Sequence, residues 1–111
     1  MDKTAIKLDK KIVFEIINYM HTSLKKYGIA DNRIALFGSF LNGNTHIDSD
    51  IDMIVISDLF EGKNLFERIE MTLKAELEVR NRYLAPMDIL LKTPQEYNYS
   101  KEAYFNSEIV V

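Results

Sequence analysis

Three short apolar runs decide what this chain can become. Arg33-Ile-Ala-Leu-Phe37, Ile51 to Ile56 and Met87 to Leu91 are rich in aliphatic side chains and bounded by polar or glycine-bearing segments. Each is too short for a helix of its own, and as a strand each needs neighbours to complete its hydrogen bonding. Between them the pattern is helical. Val13, Ile16, Ile17, Met20, Leu24 and Tyr27 recur at helical spacing, and that helix should stop at Gly28 with Lys25 and Lys26 in its last turn. From Asn64, a plausible N-cap, to about Arg82 a second helical pattern puts Phe66, Ile69, Leu73 and Leu77 on one stripe. Thr93-Pro94-Gln95-Glu96 combines a cap, a proline at the first helical position and a glutamate three residues after the cap, so a last helix starts there.

The order is helix, strand, polar loop with a short helix at Phe40-Leu41-Asn42, strand, helix, strand, helix. This describes a small α/β or α+β domain of three strands with helices on one or both sheet faces. The chain of 111 residues fits one domain, 1–111, and leaves no room for a separate substrate domain. An apolar tail, Ile109-Val110-Val111, needs cover. No cysteine is present, which excludes disulfides, thiolate metal sites and cysteine nucleophiles. No apolar run reaches the roughly 20 residues that span a bilayer, and Met1 to Lys11 lacks the pattern of a signal peptide, so a cytoplasmic protein is expected. A net charge of -3 argues against a broad nucleic-acid surface.

The chemistry gathers at the mouth of the second run. In an extended segment Asp50 and Asp52 point to the same face, while Ile51 and Met53 point into the core. Paired carboxylates suit a hard cation such as Mg²⁺. Asp88 interrupts the third run, and if that strand lies beside the second, all three acids can converge on one or two ions. Gly38-Ser39, at the end of the first run, offers backbone N–H groups and a hydroxyl to a phosphate. An EF-hand loop starting at Asp48 fails, because its sixth and twelfth positions are Met53 and Leu59. His46 reads as a solvent-exposed loop residue and His21 as a helix residue without a role. Tyr97, Tyr99, Tyr104 and Phe105 read as packing for the last helix rather than a base-stacking platform.

Gly38-Ser39, ten further residues, Asp50-Ile51-Asp52 followed by Met-Ile-Val-Ile, and Asp88 in a later apolar run resemble the signature of the DNA polymerase β-like nucleotidyltransferase superfamily. With Gly43 and Ser49 at those distances in so short a chain, the resemblance narrows to its minimal nucleotidyltransferases. It implies a nucleotidyltransferase fold, a small mixed sheet flanked by helices. It also implies Mg²⁺-dependent transfer of a nucleoside monophosphate, AMP from ATP, to a hydroxyl acceptor with release of pyrophosphate. Asp50, Asp52 and Asp88 would then be catalytic and hold two Mg²⁺ ions, while Gly38, Ser39 and Ser49 bind the nucleotide. Minimal members are often encoded beside a helical HEPN-type protein, and some act as antitoxins that nucleotidylate it, so a homo- or hetero-oligomer fits the resemblance. One departure stands out: Asn42 occupies a position where many minimal members carry arginine, leaving Arg33, Lys63 or a partner to supply the phosphate-binding cation. The alternative reading is a non-catalytic, antitoxin-like subunit that neutralises a helical partner by contact.

Overall fold

The computed structural model describes residues 9–38, 50–100 and 107–111. The first helix, α1 (Lys10–Lys26), begins where the Asp9 carboxylate accepts the Ile12 N–H at 2.9 Å. Val13, Ile16, Ile17, Met20 and Leu24 are all buried along it, as their spacing requires. Tyr27, expected on the same stripe, is instead the C-cap and is partly exposed, because the backbone leaves the helix there into Gly28 at φ 99°.

Strands β1 (Arg33–Phe37), β2 (Ile51–Ile56), β3 (Met87–Lys92) and β4 (Glu108–Ile109) form one mixed sheet in the order β3-β2-β1-β4. β1 is antiparallel to both β2 and β4, while β2 and β3 run parallel. A parallel pair cannot be closed by a tight turn. The connection here is a 3₁₀ turn at Asp58–Phe60 followed by α2 (Leu65–Tyr83). The fourth strand was not among those the sequence suggested. It is made by the apolar tail: Val110 N–H donates to the Ile34 carbonyl at 2.9 Å, and Val110 and Val111 pack on the main core.

Alternation along the strands sorts the side chains onto two faces. Ile34, Leu36, Ile51, Met53, Val55, Met87 and Leu91 form the main core with α1 and with Ala75 and Val79 of α2. The opposite face is thinner: Ala35, Ile54 and Ile56 are covered by Tyr97 of α3 (Pro94–Ser100), whose hydroxyl shares a 2.8 Å hydrogen bond with Ser107. Tyr99 does not join this packing and is 93% exposed; Tyr104 and Phe105 lie outside the described residues.

Both later helices start as their sequences suggest. Asn64 and Glu67 form a capping box on α2, and Thr93 and Glu96 exchange the same pair of bonds at α3, at 2.8 and 3.1 Å. The apolar stripe of α2, however, turns outward. Phe66, Ile69, Leu73 and Leu77 are exposed, whereas Thr72, Ala75 and Val79 are buried. Small side chains on the inner face let α2 lie close to α1 and the sheet. No described helix is long and apolar enough to cross a membrane.

Candidate active site

Period-two alternation places Asp52 on the thin face of the sheet with Ile54 and Ile56, and Ile51 and Met53 on the core side. The register then decides its neighbours. Asp52 lies opposite Phe37 on β1 and opposite Asp88 on β3, so the two carboxylates start from adjacent strands at the same level. Strands in a sheet are about 4.8 Å apart, which is close enough for the two acids to share one cation. Asp50 is the exposed residue just before β2.

Gly38 closes the group from the β1 side. It adopts φ 80°, and a Cβ at this position would collide with Asp52 Oδ2 and come within 3.0 Å of Asp52 Cγ. The glycine therefore makes room for the carboxylate as well as allowing a left-handed turn. Sequence reasoning assigned Gly38 to phosphate approach and strand termination and missed this contact. The signal was present in principle: a glycine just past β1 falls beside the start of an antiparallel β2 once the two strands pair.

Asp52 is half-buried, and its carboxyl titrates above the usual carboxylate range. Burial is the main cause, followed by the charges of Asp88 and then Asp50. Among the described residues no three His, Cys, Asp or Glu side chains are already arranged to hold a metal ion. The donor chemistry nonetheless fits a hard divalent cation, because oxygen-only carboxylates that repel one another gain most from positive charge between them.

The remaining expectations divide by position. Ser39 and Ser49 lie outside the described residues, as do Asn42, Gly43, His46 and the short helix expected at Phe40-Leu41-Asn42. Arg33 and Lys63, the candidate substitute cations, stand away from the acids. Arg33 stands opposite Ile56, four residues along β1 from Phe37, or about 13 Å at strand rise. Lys63 lies after the 3₁₀ turn, where its carbonyl accepts from Arg68, a side chain that also bonds the Leu91 carbonyl. Both are therefore at the end of the sheet remote from the acids. His21 shares a 2.7 Å hydrogen bond with Asn32, a structural role that ties α1 to the segment before β1.

A family model described as nucleotidyltransferase domain matches residues 17–111. Among solved structures, the chain is similar to a proposed nucleotidyltransferase from Sulfolobus solfataricus at 15% identity and a TM-score of 0.60, covering 98% of this chain and 87% of that one. A second proposed nucleotidyltransferase matches at 23% identity and a TM-score of 0.55, covering 88% of this chain and 96% of that one. At these identities the structural likeness establishes the fold. No curated protein gives a significant match.

Proposed function

The chain belongs to the nucleotidyltransferase domain family, and we propose that it is a Mg²⁺-dependent enzyme that moves AMP from ATP onto a hydroxyl of a macromolecular acceptor. The observation that carries this reading is the register that sets Asp52 beside Asp88, with Gly38 leaving space for the Asp52 carboxylate. Asp50, Asp52 and Asp88 hold the cation, which when bound neutralises phosphate charge and polarises the α-phosphoryl group. Gly38, Ser39 and Ser49 hold the nucleotide, the first two at its β and γ phosphates.

In the transfer itself the acceptor oxygen forms a bond to the α-phosphorus as the bond to the bridging β-phosphate oxygen breaks. Pyrophosphate leaves with that electron pair. Asp88, exposed on the outer of the two acid-bearing strands, takes the hydroxyl proton. Most of the acceleration comes from positioning and charge neutralisation, as is usual for such displacements. The acceptor follows from the resemblance to minimal nucleotidyltransferases: a hydroxyl on a helical HEPN-type protein, in a cytoplasmic toxin-antitoxin pair.

The test is calorimetric titration of ATP into the wild-type chain and Asp52→Asn, each with and without Mg²⁺. Binding should require Mg²⁺ and weaken at least about tenfold in the variant, the loss expected when one charged ligand is removed. Equal ATP affinity in a folded Asp52→Asn chain would remove the acids from the nucleotide site. Transfer of label from α-labelled ATP to a co-expressed HEPN-type protein, absent in Asp52→Asn, tests the acceptor.

A further inference from the structure

The outer face of α2 carries a long exposed apolar stripe. Leu65, Phe66, Ile69, Leu73 and Leu77 are 64, 79, 40, 46 and 48% exposed along it. Large side chains offer on the order of 200 Å² each when fully open, so this stripe exposes on the order of 500 Å². That lies toward the upper end of the largest patch an ordinary monomer leaves uncovered, about 300–600 Å². Beside it runs a groove of about 430 Å³, walled by Leu65, Ile69 and Leu73 on one side and by Ile89 of β3 on the other.

The neighbouring sheet edge, β3, is partly capped by α2. Ile51 and Ser57 N–H groups donate to the Pro86 and Lys92 carbonyls, which turns the backbone groups of the even-numbered β3 residues toward β2 and those of Met87, Ile89 and Leu91 toward the open edge. Two of those outward carbonyls are taken by α2 itself: Arg80 donates to Met87 at 3.3 Å and Arg68 to Leu91 at 3.1 Å. Capped edges of this kind resist pairing with another strand.

We propose that the outer face of α2 is the interface of a homodimer in which two α2 helices pack antiparallel about a two-fold axis. The pattern is self-complementary, as an isologous contact requires. With the axis near Met71 and Thr72, Phe66 meets the second copy's Leu77, Ile69 meets its Leu73, and Glu70 meets its Lys74. Glu70 and Lys74 are exposed and form no ion pair with other described residues, so the axis creates two opposite-charge contacts flanking the apolar seam. Antiparallel helix dipoles add to the attraction. The stripe supplies on the order of 500 Å² of the roughly 800 Å² per subunit that a stable dimer buries, and the groove wall at Ile89 and the polar rim add to it. The acid row lies on the opposite, thin face of the sheet and stays open in such a dimer.

The experiment is sedimentation equilibrium of the full chain over a wide concentration range, with Leu73→Glu, Glu70→Lys and the double variant E70K/K74E. The wild type should weigh twice the chain mass. Leu73→Glu should weaken association by about a hundredfold, since two charges enter a desolvated seam. Its far-UV spectrum should be unchanged, because Leu73 is not part of the monomer core. Glu70→Lys should weaken association and the double reversal restore it, a readout independent of whether Leu73→Glu folds. A wild type that stays monomeric, or a charge reversal without effect in single and double variants, overturns the proposal. So does a monomer held through this stripe by a different helical protein.

Discussion

Gly38 and Asp52 are coupled through the absence of one methyl group. Placing alanine at φ 80° costs about 1 kcal/mol in backbone strain. The new Cβ must also displace the Asp52 carboxylate, so Gly38→Ala should lose about 2 kcal/mol in all, with nucleotide binding lost alongside. In an Asp52→Ala background the collision with the carboxylate is gone and only the 3.2 Å approach to the residue-52 Cβ remains, so the same change should cost little more than the backbone share. Urea unfolding of the four chains gives the coupling, and equal costs in both backgrounds would show that the two residues do not compete for space. Asp52 has a second signature. Its folded pKa is raised above the ordinary value of 3.8, so the native state holds the proton more tightly than the unfolded chain does. Stability from this group is fully present below that value and is lost as pH rises through the folded pKa. In metal-free buffer at neutral pH, Asp52→Asn should therefore unfold at higher urea than wild type, with the gap closing toward acid. A variant less stable than wild type at neutral pH would contradict the assigned burial and repulsion.

At the level of elements, Arg68 is what joins α2, α3 and the edge of β3. Its guanidinium pairs with Glu96 at 2.6 Å and also reaches the Lys63 and Leu91 carbonyls. The Arg68 side chain, and after it the Thr93 N–H, holds the Glu96 carboxyl at about 2 against the usual 4.5. A lowered pKa gives stability that is present above 4.5 and lost as pH falls toward 2. The Glu96 side chain is 44% exposed, so screening limits the contribution to under about 1 kcal/mol. Glu96→Gln should lower the urea midpoint slightly at neutral pH and match wild type below about pH 2; a constant difference at all pH values would place the loss in the cap rather than the charge. Helix starts were readable because Asn64 with Glu67 and Thr93 with Glu96 are local signals, complete within four residues. The orientation of α2 was not. Periodicity shows that Phe66, Ile69, Leu73 and Leu77 share a side, but the side that meets the sheet was decided by the fit of Thr72, Ala75 and Val79 against α1, which is a property of the packed molecule.

For the molecule as a whole, three strands and their acids were legible because each apolar run is nearly continuous, with Asp52 and Asp88 interrupting the second and third and Asp50 standing just before the second. That Asp52 and Asp88 share a level depended on strand adjacency, which the sequence allowed but did not require. The fourth strand was harder to see, because two residues carry no period of their own and their pairing spans more than seventy positions of chain. Its contribution can be measured. Without residues 107–111, the Ile34 N–H and C=O lose Val111 and Val110 as partners, Tyr97 loses Ser107, and two valines leave the main core. Three lost hydrogen bonds at about 1 kcal/mol each and the exposure of partly buried valines amount to about 4–5 kcal/mol, a large share of the stability of a domain this size. The loss also uncovers the outer edge of β1, a buried apolar strand with free backbone groups. Ending the chain at residue 106 should therefore lower the urea midpoint sharply and produce concentration-dependent light scattering. Because β1 carries Phe37 and Gly38 beside Asp52, the proposed Mg²⁺-dependent ATP binding should fall with it. A shortened chain that kept both its midpoint and its solubility would mean that β1 is held by α1 and β2 alone.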